Sequence, residues 1–362
     1  KELAAFAELT RLDMNSCSGI EGYGFLDPLT DLSFLRVADC GLEDDSIRFS
    51  EPREELTGLD LSGNPELTDI SWVENLPNLY SLTLEGDGIS DASAIAGLEK
   101  LSTLSLADNE IRDLSEPFQS LRLSYLDLSG NRIESFSGLS DLTVLIEVDL
   151  SGNGCDIPLD FIEKSAGTLT HVDLSQNGFT QSQAEEMLGG CVLLQEVRLD
   201  DNPLSGSLEF LEGNTELTLV SAKNCGLTGV SGLADAINLR TVELAENPLA
   251  SLQGFPAIET QDPVTLNLNG SGLESLAGLP ENVEYASLLL YENNLQAEEM
   301  NEKLALLKGR QIGISYTEGL EPEAVQEFGS CYVDGVPNDQ KVLWEEALGY
   351  KCNFERLSAE AE

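Results

Sequence analysis

The chain has 362 residues, 41% of them hydrophobic, enough to bury a sizeable core, and length alone suggests two or three globular domains unless a repeat array overrides that prior. Asp and Glu number 65 against 19 Lys and Arg, a formal net charge of −46 with a pI near 4.1. That balance turns away phosphate backbones and anionic lipid headgroups, so nucleic acid is excluded as a partner, and it favours basic proteins or divalent cations. The acids are spread along the whole chain rather than gathered in a disordered tail. No run of about 18 apolar residues is present, so no membrane insertion is expected, and KELAAFAELTRL lacks the pattern of a signal peptide.

From the N-terminus, Leu3, Phe6, Leu9 and Leu12 share the spacing of Ile95, Leu98, Leu101 and Leu104, which places Lys1 inside the outer segment of a coil. A stacked array without a polar first cap exposes its core, so the native chain is expected to begin earlier, with a cap. The phrase LTGLDLSGN at 56–64 then returns as LSYLDLSGNRI at 123–133, LIEVDLSGN at 145–153 and LTHVDLSQN at 169–177. All fit the template L-x-x-L-x-L-x-x-N/C-x-L, in which a strand is followed by a turn. The template finds thirteen registers separated by 22 to 25 residues. Their N/C position is held by Cys17, Cys40, Asn64, Asn109, Asn131, Asn153, Asn177, Asn202, Cys225, Asn247 and Asn293, while Asp87 and Ser271 depart from the pattern. The longest coil, containing NGFTQSQAEEMLGGCVLL, has room for helical turns on its outer side. A weaker register ends near Thr317, where QIGISYT keeps strand alternation but loses the following leucine. After about Gly319 the template stops. EPEAVQEF, entered through Pro322, and DQKVLWEEAL, after the Pro337–Asp339 turn, read as short helices. Val342, Leu343, Trp344, Ala347 and Leu348 are expected to cover the last coil, so 1–317 reads as the repeat array and 318–362 as a C-terminal capping segment.

The spacing has a direct physical meaning. Leu126 and Leu128 are two apart and point inward, whereas Tyr125, Asp127 and Ser129 point outward. Leu123 and Ile133 enter the same core from either side, and neighbouring coils complete it. A buried Asn131 amide can bond backbone groups that the turn leaves unpaired, and Cys offers a weaker donor at the same place.

This grammar resembles the leucine-rich-repeat family over roughly residues 1 to 317, and the 22-residue coils are similar to the short class of bacterial surface proteins such as internalins. The resemblance implies an α/β solenoid: a right-handed superhelix of about 13–14 coils with a parallel concave sheet and an irregular or short-helical convex side. It also implies a non-enzymatic scaffold that binds a protein or peptide, in a secreted or cell-surface bacterial protein. The competing readings are the recognition segment of a larger enzyme or receptor, and an intracellular regulatory scaffold.

Cys17, Cys40 and Cys225, at the asparagine position, are expected to be buried structural thiols. Cys191 reads as an outer-layer packing residue, and Cys155 carries no assignment. Cys331 and Cys352 fall outside the repeat logic, and a disulfide between them closes a loop of about 20 residues, worth roughly 3 kcal/mol in the chain-entropy model. Such a bond implies an oxidising, extracellular or cell-surface setting.

The single histidine, His171, lies on the exposed strand face beside Asp173, with Glu147 and Glu196 in flanking coils. A divalent-metal site there is weighed against a solvated histidine among acids, and the latter is favoured, so no metal or cofactor is assigned. Without a G-x-S-x-G turn, a phosphate loop or a C-x-x-C pair, no catalytic residues are assigned either. The outward columns are the candidate partner-binding face: Tyr125, Asp127, Glu147, Asp149, His171, Asp173, Glu196, Arg198 and Asp200. Like charges about 5 Å apart repel by roughly 3 kcal/mol at an effective dielectric near 20, and by less than 1 in free water. A row of aspartates therefore calls for full hydration or a cationic partner. Leu219, Leu289 and Tyr291 are expected on the same face further on, either as a contact site or covered by the C-terminal segment.

Overall fold

The computed structural model describes residues 6–357, apart from Ala7, Glu21, Ser50, Pro117, Leu121, Pro158 and Ala250. Lys1 and Leu3, on which the expected earlier start rests, lie outside the described residues. The chain forms two compact units, 1–178 and 179–362.

In the first unit each coil contributes one three-residue strand: β1 (Arg11–Asp13), β2 (Phe34–Arg36), β3 (Gly58–Asp60), β4 (Ser81–Thr83), β5 (Thr103–Ser105), β6 (Tyr125–Asp127), β7 (Glu147–Asp149) and β8 (His171–Asp173). Each pairs in parallel with the next, residue for residue, so the inward leucines fall in one buried row: Leu35, Leu59, Leu82, Leu104 and Leu126. Burying each such side chain is worth about 1.5–3 kcal/mol, and a single coil cannot do it alone. The return path carries the short helices α1 (Ser93–Ala96) and α2 (Asp160–Lys164) and several 3-10 turns.

The second unit continues the same grammar with β9 (Glu196–Arg198), β10 (Leu219–Ser221), β11 (Thr241–Glu243), β12 (Val264–Asn267), β13 (Glu284–Leu290), β14 (Lys308–Ser315) and β15 (Phe328–Asp334), again in parallel sequence order. Its outer side holds α3 (Gln181–Leu188), α4 (Ala297–Leu304) and α5 (Asn338–Leu348). Helix α3 occupies the longest coil; its entry is fixed by the Thr180 N–H donating to Gln183 Oε1 at 2.8 Å, and it buries Ala184, Met187 and Leu188. No helix among the described residues is long and apolar enough to cross a membrane.

A ladder of side chains joins successive turns. Asn131 Nδ2 reaches the carbonyls of Leu106 in the preceding coil (2.8 Å), Leu128 (3.1 Å) and Ser129 (3.1 Å), while its Oδ1 accepts from the Ile111 N–H (3.0 Å). Asn109, Asn153, Asn177, Asn247 and Asn293 repeat the arrangement. The thiols reproduce it: Cys40 Sγ donates to Met14 O (2.9 Å) and accepts from the Cys17 N–H (3.3 Å), and Cys225 Sγ donates to Leu199 O (3.1 Å). Burial pushes the Cys225 thiol up to about 11, which keeps it a neutral donor. Cys17 departs from expectation in being exposed, because β1 pairs only with β2 among the described strands. Ser271 is satisfied, its hydroxyl donating to Leu244 O at 3.1 Å. Asp87 is not: Oδ1 accepts from the Asn64 N–H at 2.7 Å, but Oδ2 is buried without a partner.

Two findings at the C-terminal end differ from the sequence reading. The sheet runs on past the leucine template, since β15 pairs with β14 through Ile312↔Cys331 and Ile314↔Val333, with Phe328, Cys331 and Val333 buried in place of leucines. Helix α5 buries Trp344 and Leu348 but leaves Val342 60% and Leu343 54% exposed, because residues at positions 342, 343 and 344 of one helix cannot all face the same side.

Candidate functional site

On the first unit, the pairing of β6, β7 and β8 sets Tyr125, Glu147 and His171 in one outward column and Asp127, Asp149 and Asp173 in the next, all half-buried. The aspartates also have a local task. Each Oδ1 accepts the N–H two residues on: Ser129 at 3.0 Å, Ser151 at 2.9 Å and Ser175 at 2.9 Å. This closes the turn that leads the chain out of the strand, so the D-x-S phrase is partly a folding device. Burial, with Asp149 and Asp108 nearby, holds the Asp127 carboxyl above the usual range, even though the Ser129 N–H and hydroxyl oppose the shift. Burial and the carboxylates of Asp127, Glu85, Glu147 and Asp149 likewise raise the Tyr125 hydroxyl. His171 Nδ1 lies 2.8 Å from Thr170 Oγ1, and no group of three or more His, Cys, Asp or Glu suited to a metal occurs among the described residues.

The other three predicted residues belong to the second unit, at and just after β9. Arg198 pairs with Glu196 at 3.1 Å, and Asp200 accepts from Ser221 Oγ (2.7 Å) and the Lys223 N–H (2.8 Å) while pairing with Lys223 Nζ at 3.3 Å. Arg198 and Asp200 open a groove of about 530 Å³ that runs over β10–β14, past Leu219, Ser221, Thr241, Asn267, Ser287, Leu289 and Gln311, and ends at Arg356 and Leu357. Lys223, Glu243, Glu246 and Glu292 also line it, so acidic and basic side chains nearly balance there around hydroxyls, amides and two leucines. Tyr291, expected on it, is only 2% exposed because the C-terminal segment covers it. Sequence reasoning missed Arg356 and Leu357, which lie outside the template and meet Tyr291 only through the fold.

Cys331, on the inward row of β15, is buried beside Cys352, whose thiol donates to the Cys331 carbonyl at 3.2 Å. The Cys331 thiol, hydrogen-bonded to Cys352 and buried, is held protonated; both cysteines are free. Mild oxidation by a disulfide reagent is expected to join them and stabilise the second unit by roughly 3 kcal/mol. Alkylation mapping before and after oxidation checks this, and continued labelling of Cys352 in the unfolded oxidised chain would exclude the bond.

The parallel one-strand coils and the asparagine and thiol ladder define a leucine-rich-repeat protein. The sequence profile described as leucine rich repeat matches residues 91–133. Leucine-rich repeat-containing protein 42 of Rattus norvegicus is 32% identical over 25% of this chain and 25% of its own length, and the Homo sapiens protein is 31% identical over the same shares. The matched stretch thus spans about a quarter of those relatives. Among solved structures, an internalin from Listeria monocytogenes aligns with a TM-score of 0.71 at 21% identity, covering 92% of this chain and 89% of that one. A leucine-rich-repeat protein of Leptospira interrogans aligns at 0.56 and 16% identity, covering 85% and 97%. At such identities the likeness is one of fold.

Proposed function

We propose that this chain is a non-enzymatic scaffold that holds a protein or peptide on the exposed face of its sheet, and that on the first unit the partner presents a basic surface. The observation that carries this reading is the in-register column Asp127, Asp149 and Asp173, flanked by Glu147. Turn closure accounts for an Asx side chain at each position, but asparagine would serve it equally well without the mutual repulsion. A row of lysine or arginine side chains laid along the column relieves that repulsion. The net charge of −46 steers basic partners inward and nucleic acid away. The acidity supports an extracellular or cell-surface setting.

The test replaces Asp127, Asp149 and Asp173 together by Asn, which keeps the acceptor that closes each turn. Titrated with a fluorescent oligolysine peptide at low salt, the triple variant is expected to bind about tenfold more weakly than the parent, with a shallower salt dependence. Unchanged affinity and salt dependence would remove the acidic column as the binding face.

A further inference from the structure

At the far end of the second unit the Arg356 guanidinium lies against the Tyr291 ring, with Glu292 and Asp334 as its ion-pair partners. Tyr291 follows β13, and its ring lies across β14 at Gly313, where a Cβ would come within 2.6 Å of the ring. Its hydroxyl donates to the Tyr332 carbonyl (3.3 Å) and accepts from the Leu357 N–H (3.1 Å), fixing the ring plane. The Arg356 guanidinium lies 5.3 Å from the ring centroid and pairs with Glu292 and with Asp334, the latter at 3.4 Å. An aromatic face with two carboxylates at its edge matches a planar cation with several N–H donors; a lysine ammonium, a point charge on a flexible stem, satisfies only part of that set.

The C-terminal segment is anchored upstream, where Asn353 exchanges backbone bonds with β15 at 2.8 and 2.9 Å. Among the described residues beyond Asn353, the contacts onto this site are those of Arg356 and the Leu357 N–H, and the Arg356 side chain remains 44% exposed. The same two residues form the end wall of the groove over β10–β14, so their departure lengthens the groove and uncovers Tyr291.

We propose that Tyr291, Glu292 and Asp334 form an arginine-recognition site, occupied in cis by Arg356, and that the groove's ligand is an extended peptide whose arginine displaces this tail. The site lies on the second unit and is independent of the acidic column of the first. A tethered occupant competes at an effective concentration in the millimolar range, so removing it raises apparent affinity without adding any contact.

The experiment uses the full chain and two labelled decapeptides of Ser and Gly, one with a single central arginine and the other with lysine there. Arg356→Ala is expected to bind the arginine peptide about tenfold more tightly than the parent does, with a smaller gain for the lysine peptide. Adding Glu292→Gln and Asp334→Asn, both partly exposed and outside the core, is expected to abolish the gain while leaving the unfolding transition in place. Equal affinity of the parent and Arg356→Ala overturns the proposal. So does a gain shared equally by both peptides, or one that survives loss of the two carboxylates.

Discussion

Replacing Asp87 by asparagine is expected to stabilise the first unit by several kcal/mol at pH 8 and by almost nothing at pH 4. Asp87 stands in the asparagine ladder and is only 5% exposed, with one oxygen accepting the Asn64 N–H and the other unpaired. At the same place in other coils, the amide nitrogen donates to backbone carbonyls, as Asn109 does to Leu84 and Leu106. A carboxylate oxygen cannot donate, so ionised Asp87 presents charge to a site built for a donor. Burial pushes its carboxyl from 3.8 up to about 7; the Asn64 N–H opposes the shift, and Asp60 and Glu85 add to it.

The folded chain therefore keeps a proton between about pH 4 and 7 that the unfolded chain has already lost, and the stability due to this group falls as pH rises through that window. A rise from 3.8 to about 7 sets an upper scale of about 4 kcal/mol. Below pH 4 the acid is neutral in both states and its proton can serve as the missing donor. Urea unfolding of parent and Asp87→Asn across pH 4–8 measures the difference between them, which cancels the other carboxylates. Parallel stability curves would show that Asp87 carries no buried charge.

The opposite substitution, Asn131→Ala, is expected to cost about 4 kcal/mol. It removes the donor to Leu106, Leu128 and Ser129 and the acceptor for Ile111, leaving buried backbone groups unpaired at about 1–3 kcal/mol each. The damage is local, so amide exchange at Ile111 should accelerate well before that of the inward strand leucines. A cost below about 1 kcal/mol would mean that water replaces the amide and that the ladder is not a main support of the stack.

What could be read in advance was whatever the chain states locally and repeats. The two-residue spacing of Leu126 and Leu128 gave their common burial, and the shared position of Cys40, Cys225 and Asn131 gave their common bonding role. Strand β15 escaped because Phe328, Cys331 and Val333 fill leucine positions with other shapes. Covering of Tyr291 by the C-terminal segment was one of two readings left open, but the residues that cover it, Arg356 and Leu357, escaped because they lie some 65 residues further along the chain. No local pattern encodes such a meeting. The aspartate column was visible as charge, but its role in closing turns depends on a bond to the backbone rather than on the charge pattern.

The ladder's irregular members have a consequence for how the chain finds its fold. Coils that pair residue for residue and share nearly the same core are almost interchangeable, so a stack displaced by one coil retains much of its leucine packing. Such near-degenerate arrangements are the traps of a repetitive landscape. The thiols of Cys40 and Cys225, the Ser271 hydroxyl and the oversized coil bearing α3 each fit one storey better than its neighbours. They act as registration marks, so the features that look like blemishes in the repeat are what tell one storey from the next during folding.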